Sequence, residues 1–220
     1  MSELDDTGSK LTLKLVYYGP AMSGKTTNLM YLHDVLSPEM KGEMMALETK
    51  NDRTLFFDLL PLGVKAPSGL LVKLKLFTVP GQVAHDSTRK AVLSRADGVV
   101  FVADSQTSQS INNAESFENL ADNTARVGID FDNIPLIVQY NKRDLQNIQS
   151  EEDVMERWGK SPWPVVFSNA LEGSGVRETL HMLLKRIYAA IDKEYEIYSR
   201  HGMSEDMFLA GVTGMASVHT

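Results

Sequence analysis

The segment Gly19-Pro20-Ala21-Met22-Ser23-Gly24-Lys25-Thr26 carries the clearest structural signal in the chain. It matches G-x-x-x-x-G-K-[ST], a glycine-rich loop whose backbone N–H groups surround phosphate oxygens. Upstream, Leu11, Leu13 and Leu15 alternate with polar residues, as in a strand. Downstream, apolar residues recur at helical spacing, at Leu29, Leu32, Val35 and Leu36. A strand, this loop and a helix in that order predict a phosphate-binding site, and a chance match on a glycine turn is the weaker interpretation.

The loop also predicts roles for single residues. Lys25 would place its charge on the β- and γ-phosphates of a nucleotide, and the Thr26 hydroxyl would bind Mg²⁺. Backbone N–H groups at the start of the helix, with the positive end of its dipole, would bind further phosphate oxygens. We therefore expect nucleotide contacts from Gly19, Ala21, Met22, Ser23, Gly24, Lys25, Thr26 and Thr27.

Three continuous apolar runs predict strands that are buried on both faces, as in a parallel sheet: GVVFVA at 98–103, PLIVQY at 135–140 and PVVF at 164–167. Helical patterns separate them at 109–127 and 150–158. Strands that alternate with helices predict an α/β fold, with a mainly parallel sheet and helices on both faces.

A hairpin and a long helix complete the expected domain. An apolar and aromatic stretch over 54–60 and apolar alternation within 70–79, on either side of a turn-prone stretch at 61–69, predict a hairpin that adds one antiparallel edge strand. The spacing over 175–200 predicts a single amphipathic helix. Ser150 and Asp153 fit a capping box at the start of the helix before it.

The expected organisation is a flexible N-terminus over 1–10, one domain over 11–200 and a tail over 201–220. The tail contains five large apolar residues, which fit either a docking peptide or a plain chain end: Met203, Met207, Phe208, Leu209 and Met215.

The composition excludes several classes of protein. A net charge of −7 argues against a nucleic-acid-binding protein. The chain has 0 cysteines, so it contains no disulfide and no site for a prenyl or palmitoyl anchor, and Ser2 is not the glycine that myristoylation requires. The acidic N-terminus is no signal peptide. We expect a cytoplasmic protein without a lipid anchor.

A second motif selects the base. Asn141-Lys142-Arg143-Asp144 directly follows the apolar run at 135–140. The Asp144 carboxylate could accept two hydrogen bonds from guanine, whereas adenine would leave a buried acceptor unpaired. Asn141 and Lys142 would join the base to the phosphate loop. The alternative is a charged turn after a strand.

Together the two motifs resemble the Ras-like small GTPases, over roughly Leu11 to Arg200. Ser168-Asn169-Ala170 stands where that family has its short guanine loop, with Asn169 in place of the usual serine. Backbone N–H groups at Ala170 and Leu171 could still reach the guanine carbonyl. An ordinary strand-to-helix turn is the alternative.

The resemblance also concerns Thr78-Val79-Pro80-Gly81-Gln82, where Ras-like proteins have Asp-x-x-Gly-Gln. It implies that the Gly81 N–H approaches the γ-phosphate and that Gln82 orients the attacking water. Thr78 replaces an aspartate that normally holds Mg²⁺ through water, and a neutral hydroxyl is a poorer partner for that cation.

Longer stretches are closely similar to the MglA-type bacterial Ras-like GTPases, a family of polarity switches. They are VYYGP at 16–20, GKTTNL at 24–29, NDRTLFFDLLP at 51–61, FTVPGQ at 77–82, DGVVFVADSQ at 97–106 and QYNKRDLQNI at 139–148. Members of this family carry Thr-Val-Pro-Gly-Gln and still hydrolyse GTP. The resemblance therefore implies a GTPase that uses Mg²⁺.

Asn51-Asp52-Arg53-Thr54 lies between the first helix and the hairpin, where Ras-like proteins have their first switch segment. The resemblance implies that Arg53 is an intrinsic arginine finger, which stabilises charge between the β- and γ-phosphates. Thr54 would bind Mg²⁺ in the GTP state, with Thr49 as a second candidate. Asp52 or Asp58 could supply the carboxylate that Thr78 lacks.

The resemblance further implies an activating partner of roadblock fold, MglB-like and dimeric, and effectors that bind near 44–60 and 78–95. Such a switch could be recruited to a cell pole by protein partners. The alternative functions are a GTP-binding scaffold that does not hydrolyse GTP, because of Thr78, and a P-loop kinase, for which no second substrate pocket is readable.

Overall fold

The structure, a computed structural model, describes residues 3–5, 7–36, 41–47, 57–81 and 86–215. These residues form one sheet of eight strands. The strands are β1 (Glu3–Leu4), β2 (Lys10–Tyr18), β3 (Met45–Leu47), β4 (Phe57–Lys65), β5 (Leu71–Thr78), β6 (Gly98–Asp104), β7 (Leu136–Asn141) and β8 (Val165–Phe167). Seven of them lie in the order β3-β4-β5-β2-β6-β7-β8, and β1 pairs with β2.

The five strands β5, β2, β6, β7 and β8 run parallel to one another. β4 pairs with β5 antiparallel, as the predicted hairpin requires. The α/β fold class with a mainly parallel sheet is therefore confirmed. Two short strands, β1 and β3, add antiparallel pairs that the apolar pattern did not indicate.

The helices lie on both faces of the sheet, which gives the domain two hydrophobic cores. The helices are α1 (Lys25–Val35), α2 (Asp86–Leu93), α3 (Ser110–Arg126), α4 (Glu151–Trp158), α5 (Val176–Tyr195), α6 (Ile197–His201) and α7 (Glu205–Thr213). One core contains apolar residues of α1 and α5, and the other contains those of α2, α3 and α4. The predicted cap of α4 is present, since the Ser150 side chain accepts a hydrogen bond from the Asp153 N–H.

The predicted turn at 61–69 is wrong, because β4 continues through Pro61 to Lys65. The Pro61 carbonyl accepts a hydrogen bond of 2.9 Å from the Gly42 N–H, on the side of β4 that faces away from β5. N–H and C=O of one strand residue point to the same side, so the N–H that proline lacks would not face β5. The chain turns later, where the Ala66 N–H donates to the Leu70 carbonyl at 2.8 Å.

The single helix predicted over 175–200 is divided in two. α5 ends at Tyr195, and Glu196 takes the left-handed conformation, with φ of 54°. This backbone reversal ends the α5 hydrogen bonds before α6 begins. The apolar stripe continues across the break because Ile197 is buried in the same core as α5.

The tail predicted over 201–220 is also corrected, because α7 is a packed helix. Its N-cap is Ser204, whose hydroxyl accepts the Met207 N–H. At the C-terminal end of α7, the Thr213 carbonyl accepts two hydrogen bonds, of 3.1 and 2.7 Å, from Arg177 of α5. Three apolar side chains at helical spacing join the core beside α5: Phe208, Leu209 and Val212. The residues that suggested a docking peptide therefore pack inward for the most part.

The described N-terminal residues, 3–5 and 7–10, have defined contacts as well, which corrects the expectation of a flexible N-terminus for this part of 1–10. Glu3 lies opposite Thr12 and Leu4 opposite Leu11. The connecting turn is held by Asp5, whose side chain accepts hydrogen bonds from the backbone N–H groups of Ser9 and Lys10. Over the described residues, no helix is long and apolar enough to cross a membrane.

The packing of α7 predicts unequal effects for two neighbouring substitutions. Phe208 is fully buried, 5.8 Å from the Tyr188 ring. Phe208→Ala should lower the free energy of unfolding by about 3 kcal/mol, because it leaves a cavity. Met207→Ala, at a side chain that is 47% exposed, should change it by less than about 0.5 kcal/mol. Equal, small effects in urea denaturation would contradict the docking of α7.

Candidate functional site

The glycine-rich loop lies at the carboxyl end of β2 and leads into α1. Gly19 and Gly24 have φ of 147° and 101°, a conformation that strains other residues. A Cβ atom on Gly19 would lie 2.2 Å from the Val102 carbonyl oxygen of β6. The loop is therefore packed directly against the sheet, and glycine is required there for space as well as for φ.

The loop has the features of an anion cradle. Lys25 is buried, and its ammonium group donates hydrogen bonds to the carbonyls of Gly19 (3.0 Å) and Pro20 (2.6 Å). The Ser23 hydroxyl is also buried and has no hydrogen-bond partner among the described residues. Thr26 is exposed at the start of α1. A buried cation and a buried hydroxyl at a helix N-terminus fit a bound phosphate.

The motif that begins at Thr78 reaches the same loop. Thr78 is the last residue of β5 and is buried. A Cβ atom on Gly81 would lie only 2.2 Å from the Ala21 nitrogen. The backbone of Gly81 therefore lies against the phosphate loop. Gln82 follows it in the chain and lies outside the described residues.

Asn141 connects the predicted base-binding motif to both neighbouring loops. Its amide nitrogen donates to the Ser23 carbonyl at 2.9 Å. Its amide oxygen accepts from the Ala170 N–H at 2.9 Å and from the Ser168 hydroxyl at 3.1 Å. One buried side chain thus joins the phosphate loop, the end of β7 and the loop after β8.

Lys142 has a different partner from the one that the sequence predicted. Its ammonium group pairs with the Asp104 carboxylate at 2.6 Å, and no hydrogen bond to the phosphate loop is described. Asp104 ends β6, and its backbone N–H and C=O are bonded to the Asn113 side chain of α3. No sequence motif indicates this pair, because the two residues are brought together only where β6 and β7 end side by side.

Two backbone N–H groups of the loop after β8 donate hydrogen bonds to side chains of the protein. The Ala170 N–H donates to Asn141, and the Leu171 N–H donates to the Asn169 side chain at 3.2 Å. Both groups were predicted to be available to a guanine carbonyl, and in the structure both are engaged. Asn169 therefore closes the loop on itself, as an asparagine in an Asx turn does.

A cavity of about 270 Å³ lies between these loops. Asp144 is exposed at its edge, whereas the neighbouring Arg143 stacks over the Phe167 ring at 4.9 Å and bonds the Gln149 carbonyl. The cavity thus presents a carboxylate where a base could be recognised. The cavity is lined by the residues predicted to contact the base, by three predicted phosphate-loop residues and by Leu145, which was not predicted: Asn141, Lys142, Asp144, Asn169, Ala170 and Leu171 for the base, and Met22, Gly24 and Thr27 of the phosphate loop.

Several predicted residues lie outside the described residues, namely Thr49, Asp52, Arg53, Thr54 and Gln82. The backbone of Asp58 lies in β4, opposite Ala46. Among the described residues, no group of three or more His, Cys, Asp or Glu side chains could hold a metal ion.

A second cavity, of about 460 Å³, adjoins the phosphate loop between α2 and α3. Beside it, Asp86 accepts a hydrogen bond of 2.9 Å from Asn123 and pairs with Lys90 at 3.1 Å and Arg126 at 3.4 Å. The Asn123 bond is the largest cause that holds the pKa of Asp86 well below its ordinary value. Burial raises the pKa of Tyr18, which also bonds Asn123, to about 12. These contacts fasten α2 to α3.

Comparison with known proteins agrees with this geometry. The model of the ADP-ribosylation factor family matches residues 3–187. The chain belongs to this family of Ras-like small GTPases, which bind guanine nucleotide and hydrolyse GTP.

Within the class, the chain is similar to the Mutual gliding-motility protein MglA of Myxococcus xanthus (strain DK1622). The two are 42% identical over 193 residues, which cover 88% of this chain and 99% of that protein. The resemblance to MglA-type GTPases is therefore confirmed.

Two glycines with similar φ allow the role of Gly24 to be tested. A Cβ atom on Gly24 would lie 2.1 Å from the Asn141 amide nitrogen, whereas Gly69, with φ of 97°, has open space. Gly24→Ala and Gly69→Ala should both lose about 1–2 kcal/mol of stability from backbone strain. Only Gly24→Ala should also weaken GDP binding, by about tenfold or more, because it displaces Asn141. Equal GDP affinities in a titration would contradict the role of Gly24.

The low pKa of Asp86 predicts a pH-dependent contribution to stability. The folded-state pKa lies below the unfolded value of about 4, so the contribution is complete above that pH and is lost as the pH falls below it. Asp86→Asn should therefore lower the free energy of unfolding by about 1 kcal/mol at neutral pH, and by less in acid.

Asp122→Asn, at an exposed aspartate of α3, is the control, with an expected change below about 0.5 kcal/mol. Urea denaturation at several pH values would measure both variants. An Asp86→Asn effect that stays constant into acid would contradict the interpretation.

Proposed function

We propose that this protein is a GTP-hydrolysing switch that controls cell polarity or motility and is accelerated by a roadblock-type activating partner. The proposal that the protein hydrolyses GTP rests on the close approach of Gly81 to Ala21. A Cβ atom placed on Gly81 would lie 2.2 Å from the Ala21 nitrogen. This close approach brings the residue that precedes Gln82 against the phosphate loop. The similarity to a gliding-motility protein supports the biological role.

GTP would bind across the cavity and the loop. The Asp144 carboxylate would accept hydrogen bonds from the guanine N1–H and exocyclic amine, which adenine lacks. Lys25 would leave its carbonyl partners to place its charge on the β- and γ-phosphates. The other phosphate contacts would come from backbone N–H groups of the loop and the start of α1.

Hydrolysis requires an oriented water and stabilisation of charge as the γ-phosphoryl group leaves. Gln82 would orient the water for attack, and the Gly81 N–H would bind a γ-phosphate oxygen. Arg53 would act as an intrinsic finger on charge that develops between the β- and γ-phosphates. Gln82, Arg53 and Lys25 are thus the proposed catalytic residues.

Mg²⁺ would be held by the hydroxyls of Thr26 and Thr54, and when bound it would neutralise phosphate charge. Few protein ligands are expected, because Mg²⁺ in nucleotide sites is bound largely by phosphate oxygens and water. Thr78 is buried at the end of β5, where its hydroxyl could contribute only as a neutral group.

The nucleotide would control partner binding through the two segments that flank the hairpin. Effectors would bind near 44–60 and 78–95 in the GTP state, and a dimeric roadblock protein would bind the same surfaces. The protein would work in the cytoplasm and reach a cell pole through such partners, without a lipid anchor.

A non-hydrolysing scaffold is the second candidate, and Thr78 is the observation that favours it. A hydroxyl holds a hard dication less well than the aspartate that Ras-like proteins have at this position. The retention of both Gln82 and Arg53 favours the hydrolytic switch.

Single-turnover GTP hydrolysis with Mg²⁺, with and without an MglB-like dimer, distinguishes the two functions. The wild-type protein should hydrolyse GTP slowly and be accelerated by the dimer. Arg53→Ala and Gln82→Ala should each lower the accelerated rate by about 10³-fold while GTP still binds.

Arg53→Lys is the matched control, because it keeps the charge and loses the planar fork, so its rate should stay low. Tight GTP binding without hydrolysis under either condition would reject the switch in favour of the scaffold. Hydrolysis that both alanine variants retain would reject the assigned catalytic residues.

A further inference from the structure

Three polar side chains form a fully buried cluster beneath the nucleotide loops: Asn28 of α1, Gln139 of β7 and Thr179 of α5. The Gln139 amide nitrogen donates to the Asn28 amide oxygen at 2.9 Å and to the Thr179 hydroxyl at 2.9 Å. All three residues are 0% exposed. The sequence analysis predicted no functional role for any of the three residues.

The ends of this cluster are bonded to the two loops that lie on either side of the cavity. The Asn28 amide nitrogen donates to the Gly24 carbonyl of the phosphate loop at 3.0 Å. The Thr179 hydroxyl donates to the carbonyl of Gly175, which precedes α5, at 2.6 Å. Gln139 itself stands two residues before Asn141 on the same face of β7. The cluster therefore forms a second connection between the phosphate loop and the loop after β8, in addition to the one through Asn141.

Filling a core with polar side chains makes the folded protein less stable than filling it with apolar ones. A buried amide that lacks a partner destabilises the folded protein, and the Gln139 amide oxygen has no hydrogen-bond partner among the described residues. Apolar side chains of similar shape would fill this space without that cost. Leu29 and Leu32 of α1 and Leu183 of α5 belong to the surrounding apolar core.

We propose that Asn28, Gln139 and Thr179 are positioning residues that fix the distance between the phosphate loop and the guanine-binding loops. Because one nucleotide must contact both loops at once, a small change in their separation weakens binding without removing any direct contact. This inference rests on the proposed binding of guanine nucleotide across the cavity.

The test is the dissociation rate of GDP from folded protein, in variants that each remove the two hydrogen bonds of one side chain in the cluster. Thr179→Val and Gln139→Met keep the side-chain volume approximately and lose the polar groups. Each should raise the dissociation rate by about tenfold, because the connection between the two loops is then broken. The double variant should dissociate no faster than the more severe single variant, because either change already breaks the connection.

Two controls separate positioning from general stability. Thr179→Ser keeps the hydroxyl and should retain the wild-type rate. Thr124→Val removes a buried threonine hydroxyl that donates to the Ala121 carbonyl at 2.8 Å within α3, away from both loops. It should lower Tm and leave GDP dissociation unchanged.

Thermal unfolding of every variant without nucleotide provides the second measurement. If the dissociation rates of Thr179→Val and Gln139→Met stay at the wild-type value, whether or not Tm changes, the positioning role is rejected. Multiplying effects in the double variant would also reject it. Wild-type protein that fails to retain GDP at all would instead overturn the proposed nucleotide site on which the inference rests.

Discussion

The arrangement of the site depends on the hydrogen bonds of one buried amide. The Asn141 side chain donates a hydrogen bond to the Ser23 carbonyl and accepts one from the Ala170 N–H. Because Gly24 has no side chain, there is space beside it for the Asn141 amide nitrogen. Because the donor and the acceptor of one amide are fixed relative to each other, the phosphate loop and the loop after β8 cannot move independently while both bonds are intact. The bonds are buried, where water does not compete for the same groups.

The parallel sheet is what brings these groups together. The strands β2, β6, β7 and β8 all end at one edge, so loops that are distant in sequence become neighbours there. Gly19 meets the Val102 carbonyl at this edge, and Lys142 meets Asp104. β5 is also parallel to β2, so Gly81 arrives at the same place. The antiparallel hairpin thus supplies its return strand to the site in the same direction as the parallel strands.

The sequence predicted the features that are local, and missed those that depend on tertiary partners. The phosphate loop, the parallel strands and the cap at Ser150 follow from short patterns, and all are present. Proline normally indicates a turn, but Pro61 is accommodated because its missing donor faces away from β5. The helix α7 has few turns and becomes recognisable only through the core that covers Phe208. The Lys142–Asp104 pair could not be read from either motif alone.

Buried polar side chains are distributed unevenly between the sheet and the site. The interior of β6 between Val99 and Ala103 is apolar throughout, and there the hydrophobic effect alone is sufficient. Beneath the loops, by contrast, Asn28, Gln139 and Thr179 replace apolar contacts by directional bonds. Apolar packing tolerates small shifts of one element against another, whereas a chain of hydrogen bonds permits one separation. Under the proposed positioning role, stability is exchanged for defined geometry at the edge of the sheet where one nucleotide must contact two loops.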